Sequence, residues 1–179
     1  MQAQAKQNGE LLLVSPPPNW RLAHQDRQGN VVTTEYIPLT QKIESWKELI
    51  TVQIMLGMEN ADPEDYLGKM VTLAETACEN LLGVRVIPFT QKSTYPTVGV
   101  IQGCGKNKEN LQGEFTLIRA ISGKDNLYVI RKAWRLPIWN TSENPDVTDD
   151  EILRWLEYLA SARVCDTRGK TCPAQTGNN

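Results

Sequence analysis

The chain is poor in histidine, in net charge and in long apolar runs, and each shortage narrows the function. His24 is the only imidazole in 179 residues, so a nucleophile-base pair has one histidine to draw on. The formal net charge of −2 supplies no basic footprint for nucleic acid. No apolar run approaches the ~20 residues needed to cross a bilayer. The longest candidate, Leu11 to Val14, is strand-sized. The start, MQAQAKQNGE, lacks the basic-then-apolar layout of a signal peptide. It fits a cytosolic N-terminus, and it also fits a mature export product with Met1 added for expression. No Gly-rich P-loop, Gly-x-Ser-x-Gly elbow or His-Glu-x-x-His helix occurs. There is no internal repeat, domain linker or low-complexity tract. The length suits one domain with an ample core. The expected division is a flexible segment 1–9, a single domain 10–172 and a flexible tail 173–179.

Four cysteines are present: Cys78, Cys104, Cys165 and Cys172. Zinc ligands come as tight pairs such as Cys-x2-Cys, and no such pair exists here. Cys165 and Cys172 flank Asp-Thr-Arg-Gly-Lys-Thr, a polar stretch that can turn back at Gly169. Closing that loop stabilises by ~2.5 kcal/mol in the chain-entropy picture. Cys78 falls on the apolar face of a predicted helix, and Cys104 shares strand parity with Val98 and Val100. Helix-on-sheet packing would join them, a bridge worth ~3.5 kcal/mol. Four buried reduced thiols are the alternative. The disulfide reading is favoured, and it places the protein in the periplasm or outside the cell; reduced thiols would place it in the cytoplasm.

Leu11 to Val14 reads as an early strand, stopped by Pro16-Pro17-Pro18. Trp20 to His24 reads as a short strand, Asp26 to Asn30 as a turn, and Val31 to Ile37 as a strand. Thr40 to Trp46 reads as a polar loop or one helical turn. Leu49 to Leu56 (LITVQIML) is the cleanest strand, with Ile50, Val52, Ile54 and Leu56 on one face. Asp62-Pro-Glu-Asp starts a helix: Asp62 caps, Pro63 suits the first position, and the acids complement the dipole. Its stripe, Leu67, Met70, Val71, Ala74, Ala77 and Leu81, predicts a helix to about Asn80, ended by Gly83. Val84 to Phe89 and Tyr95 to Cys104 read as strands, and Gly105 to Gly113 as a polar connection. Glu114 to Ile121 and Leu127 to Trp134 form a hairpin across Ser122 to Asn126. Thr148-Asp-Asp-Glu151 is a capping box with a Val147–Ile152 staple. It opens a helix whose apolar face is Ile152, Leu153, Trp155, Leu156, Leu159 and Ala160. Two helices among many strands predict an α+β fold: a mainly antiparallel twisted sheet of six to seven strands with both helices packed on it.

This order resembles the Mog1/PsbP-like fold. The features that carry the resemblance are the early run ending in PPPNW, the segment ESWKELITVQIM and the helix opening at DPEDY. The hairpin GEFTLIRAISGKDNLYVIRKAW and the final helix DDEILRWLEYLA complete it, over Leu11 to Ala162. Exported bacterial proteins of unknown role also look like this. Members of the fold range from photosystem accessory proteins to partners of small GTPases, so the resemblance implies no single activity.

Few residues remain as candidates for chemistry. Gly99, Gly103 and Gly105 lack the following helix that a phosphate cradle needs, and they read as sites of close packing. His24 beside Asp26 is a surface histidine near a turn. Asp146, Asp149, Asp150 and Glu151 are explained by helix-start chemistry and not by a calcium loop. Arg119 and Arg131 each interrupt an apolar strand parity. They are the candidate anion ligands, with a structural pairing as the competing reading. Trp46 and Trp139 lie by loops and are the candidate partner anchors. No catalytic set, cofactor or metal site is expected. The sequence points to a non-enzymatic exported protein that binds another protein, such as an envelope factor or a toxin-neutralising immunity protein. A small-anion carrier, or an enzyme with a pocket between sheet and helices, is the alternative.

Overall fold

The computed structural model describes residues 9–87, 89, 94–169 and 172. The expected flexible tail 173–179 and residues 1–8 of the expected flexible segment 1–9 lie outside them, while Gly9 is bonded to Thr167. The fold is α+β. Strands β1 (Glu10–Leu13), β2 (Trp20–Gln28), β3 (Val31–Pro38) and β4 (Glu48–Leu56) precede helix α1 (Pro63–Ala77). Then follow β5 (Cys78–Ile87), β6 (Thr97–Asn107), β7 (Gly113–Ser122), β8 (Asn126–Leu136), helix α2 (Asp149–Ser161) and β9 (Arg163–Asp166). Seven strands form one antiparallel sheet in the order β2-β3-β4-β8-β7-β6-β5, and β1 pairs with β9 in a separate two-stranded sheet.

The registers separate two sheet faces. Phe115 opposite Trp134, Leu117 opposite Lys132 and Ile121 opposite Tyr128 share one face, and Ile50 and Val52 join it from β4. This face packs beneath α2 with Leu159, Ala162 and Val147. The other face presents Ile118, Ala120, Val129 and Met55 to Leu67 of α1. Towards β2 it continues as Ile37, Trp46, Leu49 and Ala133. Burial on both faces explains why β7 and β8 read as nearly continuous apolar runs.

Local chemistry sets both helix starts. The Asp62 carboxylate accepts the amides of Glu64 and Asp65 ahead of Pro63. Thr148 and Glu151 exchange both bonds of the capping box. Val147 is buried in the core beneath α2, and Ile152 packs against the same core. Leu153 departs from the expected stripe and is exposed.

Several boundaries differ from expectation. Helix α1 stops at Ala77 and not near Asn80, because Cys78 is extended and opens the pairing with β6 at Asn107. Asn80 has a left-handed φ of 60°, incompatible with a further helical turn. Leu81 is therefore a strand residue opposite Cys104, and Gly83 lies where the register shifts between Leu82 and Arg85. The expected turn at Asp26 to Asn30 shrinks to Gly29–Asn30, with Gly29 at φ 60°. That geometry lets β2 and β3 run as a long hairpin. Strand β6 continues through Gly105 to Asn107. Strand β9 was not expected at all.

Two disulfides brace the fold. Cys78–Cys104 ties the end of α1 to β6, with Cα atoms 5.8 Å apart. Cys165–Cys172 closes the small loop after β9, with Cα atoms 4.8 Å apart. Among the described residues no cysteine is free.

Candidate functional site

Arg119 sits on β7 opposite Gly99 of β6 and Ile130 of β8. It points to the α2 face and is only 3% exposed. Gly99 leaves the space that the Phe89 ring takes; a Cβ there would collide with that ring. The ring centroid lies 4.7 Å from the Arg119 guanidinium carbon, within cation–π range. Nη1 donates to the carbonyls of Leu159 and Ala162, the latter at 2.8 Å. These carbonyls close α2, where a cation complements the dipole. Nε is buried without a partner. Desolvation pulls the Arg119 pKa down to about 10, and no carboxylate offsets that cost.

Arg119 lines a cleft of about 850 Å³ at the end of the sheet. The tip of the β7–β8 hairpin, the segment before α1, the entry to β6 and strand β9 enclose it. Lys124 and Arg163 add cations, and Asp62 and Asp166 add carboxylates. Asp166 is held by Arg168 at 2.9 Å, which keeps its carboxyl below the usual range. The hairpin tip is itself fastened by Glu10, whose carboxylate accepts the amides of Lys124 and Asp125 at 2.8 and 2.9 Å.

The second arginine does not join the first. Arg131 pairs across from Ile118 and Thr51, so it points to the α1 face. It is half-buried, with Glu114 3.9 Å away. A joint grip of Arg119 and Arg131 on one anion is therefore ruled out by strand parity.

The candidate anchors are packed into the fold. Trp46 is 8% exposed, with Arg135 stacked 4.0 Å from its ring centroid. Trp139 donates to the Cys104 carbonyl at 3.1 Å. Its ring lies against Gly103 and Gly113, where a Cβ would stand 3.0 and 2.5 Å from indole carbons. Trp46 is thus part of the core, while Trp139 is half-buried and closes the gap that Gly103 and Gly113 leave. His24 is exposed on edge strand β2. Asp26 is lowered mainly by the Gln28 amide and the Arg27 backbone, with His24 a minor influence.

Sequence reading missed a third cation. Lys132 is fully buried on the α2 face. Its Nζ lies 2.8 Å from Glu48 Oε2. The centroids of Trp134, Trp155 and Trp20 lie 4.0, 4.6 and 5.4 Å from it. Desolvation lowers its pKa to about 8 against the opposing pull of Glu48. The available signal was the parity Tyr128, Ile130, Lys132, Trp134, as apolar as the one interrupted by Arg131.

Among the described residues no group of three or more His, Cys, Asp or Glu side chains is placed to hold a metal. No helix among them is long and apolar enough to cross a membrane. Comparison with protein-family models and with curated protein sequences gives no match.

Proposed function

We propose that this chain is a non-enzymatic binding protein of an oxidising compartment, the periplasm or the extracellular space. The observation that carries the reading is the pair of disulfides, which join sequence separations of 26 and 7 residues. Such bonds persist where thiols are not kept reduced. The resemblance to the Mog1/PsbP-like fold, whose members range from photosystem accessory proteins to partners of small GTPases, is compatible with a role exerted by contact, in the manner of an envelope factor or an immunity protein. The test is thiol titration of protein taken from its native source and unfolded without reductant. No reactive thiol is expected; four would sink the export reading. Cross-linking in the same compartment should capture a protein partner, and repeated failure to recover one would remove the contact reading.

One observation favours a second reading, that the protein carries a small anion. It is Arg119, a buried cation with no carboxylate partner, at the wall of a cleft large enough for a small molecule.

A further inference from the structure

Resting on that second reading, we propose that the cleft takes a small monocarboxylate with an apolar body, its carboxylate seated on Arg119. The support begins with what Arg119 leaves undone. Its two hydrogen bonds both run from Nη1. Capping α2 therefore occupies one nitrogen of three. The other edge, Nε and Nη2, meets no acceptor among the described residues, and Nε is buried without a partner. That edge offers two parallel N–H donors, the geometry that matches the two oxygens of a carboxylate. Burying Nε unpaired is costly, and a carboxylate that reached this edge would remove the cost.

The charge around the cleft decides how many charges the ligand carries. Arg119, Lys124 and Arg163 line the cleft with Asp62 and Asp166, and around the hairpin tip Arg168 is paired to Asp166 and Asp125 beside the Glu10 carboxylate, so the charges there balance. A singly charged ligand on Arg119 disturbs that balance least. A phosphate dianion would bring a second negative charge to a cleft that already holds several carboxylates. The rest of the ligand is set by the walls. Tyr95, Pro96, Ile121, Val164, Ala61 and Pro63 make much of the lining apolar, so an apolar body gains burial that a bare anion would not. The about 850 Å³ of space exceeds what acetate would fill and lies in the range of ordinary small-ligand pockets.

The test uses the full disulfide-bonded chain, with octanoate, octanamide and octyl phosphate as probes. Titrations are followed by heat and by amide chemical shifts. Octanoate should bind at least ~10-fold tighter than octanamide, a gap of ~1.4 kcal/mol. The shifts should centre on Ser122, Lys124, Ala162 and Val164. Arg119→Met should lose ~10-fold or more in octanoate affinity. Arg119→Lys should recover only part of it, because an ammonium lacks the planar fork. Lys124→Gln removes an exposed side chain and should weaken binding two- to threefold; it carries the test if Arg119→Met does not fold. Tighter binding of octyl phosphate than octanoate at the same residues would overturn the monocarboxylate assignment and keep the anion reading. Equal binding of octanoate and octanamide, no binding of either, or shifts away from Arg119 would overturn both.

Discussion

Lys132 and Arg119 share one face of one sheet, and the protein treats them in opposite ways. Lys132 has a carboxylate at 2.8 Å and three indoles around it. Arg119 has two carbonyls and one phenyl ring, and one edge of its guanidinium is unused. Removing a charge from water is expensive, and a counter-charge with good geometry is the usual compensation. At Lys132 the compensation is internal, a carboxylate and three indoles, although burial still lowers its pKa to about 8; the site is a piece of the core. At Arg119 it is partial, and the cleft beside it has room for the missing acceptor. A buried charge therefore signals binding only when its partners have been counted.

The sharpest way to break this contrast is to remove the counter-charge. Glu48→Leu should cost about 2–3 kcal/mol, reduced from the fully buried case because Glu48 reaches water. Arg119→Met should cost about 1 kcal/mol, the worth of its bonds to α2. Urea unfolding of the two variants measures the difference, and equal losses would erase the distinction. Next in size is Cys165→Ala with Cys172→Ala. It should cost ~2.5 kcal/mol and speed amide exchange in β1 and β9 beside Arg119, while β4 and β8 around Lys132 stay protected. Uniform acceleration would refute that localisation. The smallest effect is on pH. The folded chain holds the Lys132 proton less tightly than the unfolded chain, with a pKa near 8 against 10.5. Deprotonation thus favours folding, and stability should rise by about 1 kcal/mol from pH 8 to 10, the Lys132 gain less the loss that the buried tyrosines already bring near pH 10. Above pH 10 it should fall, since burial raises Tyr95, Tyr128 and Tyr158 to about 12 and the unfolded chain loses those protons first. Lys132→Met should abolish the rise and leave the fall.

What could be read from the sequence was whatever a short segment decides by itself. The Asp62 cap, the Thr148–Glu151 box and the β7–β8 hairpin need only neighbouring residues, and all three form. Features decided at long range were illegible. Lys132 looks like any strand lysine until Glu48, 84 residues away, is beside it. The end of α1 was misplaced because its apolar stripe runs on past Ala77, while pairing with Asn107 draws Cys78 into a strand. Arg119 stood out by parity, but the cleft is assembled from segments as distant as Asn60 and Gly169. The packing of Trp139 was hidden because its receiving surface is Gly103 and Gly113, which show no side chain to pair with it.

The pairing of β1 with β9 has a mechanical consequence. Gly9 and Thr167 are bonded to each other at 2.9–3.0 Å, so the chain enters and leaves the described fold at adjacent points. A force applied across those points loads the ladder one rung at a time, starting at Glu10–Asp166. Neither sulfur bridge spans β1 and β9, so nothing covalent resists the unzipping. Tension there would loosen Glu10, and with it the hairpin tip that borders the cleft, before it reached the tryptophan-lined interior.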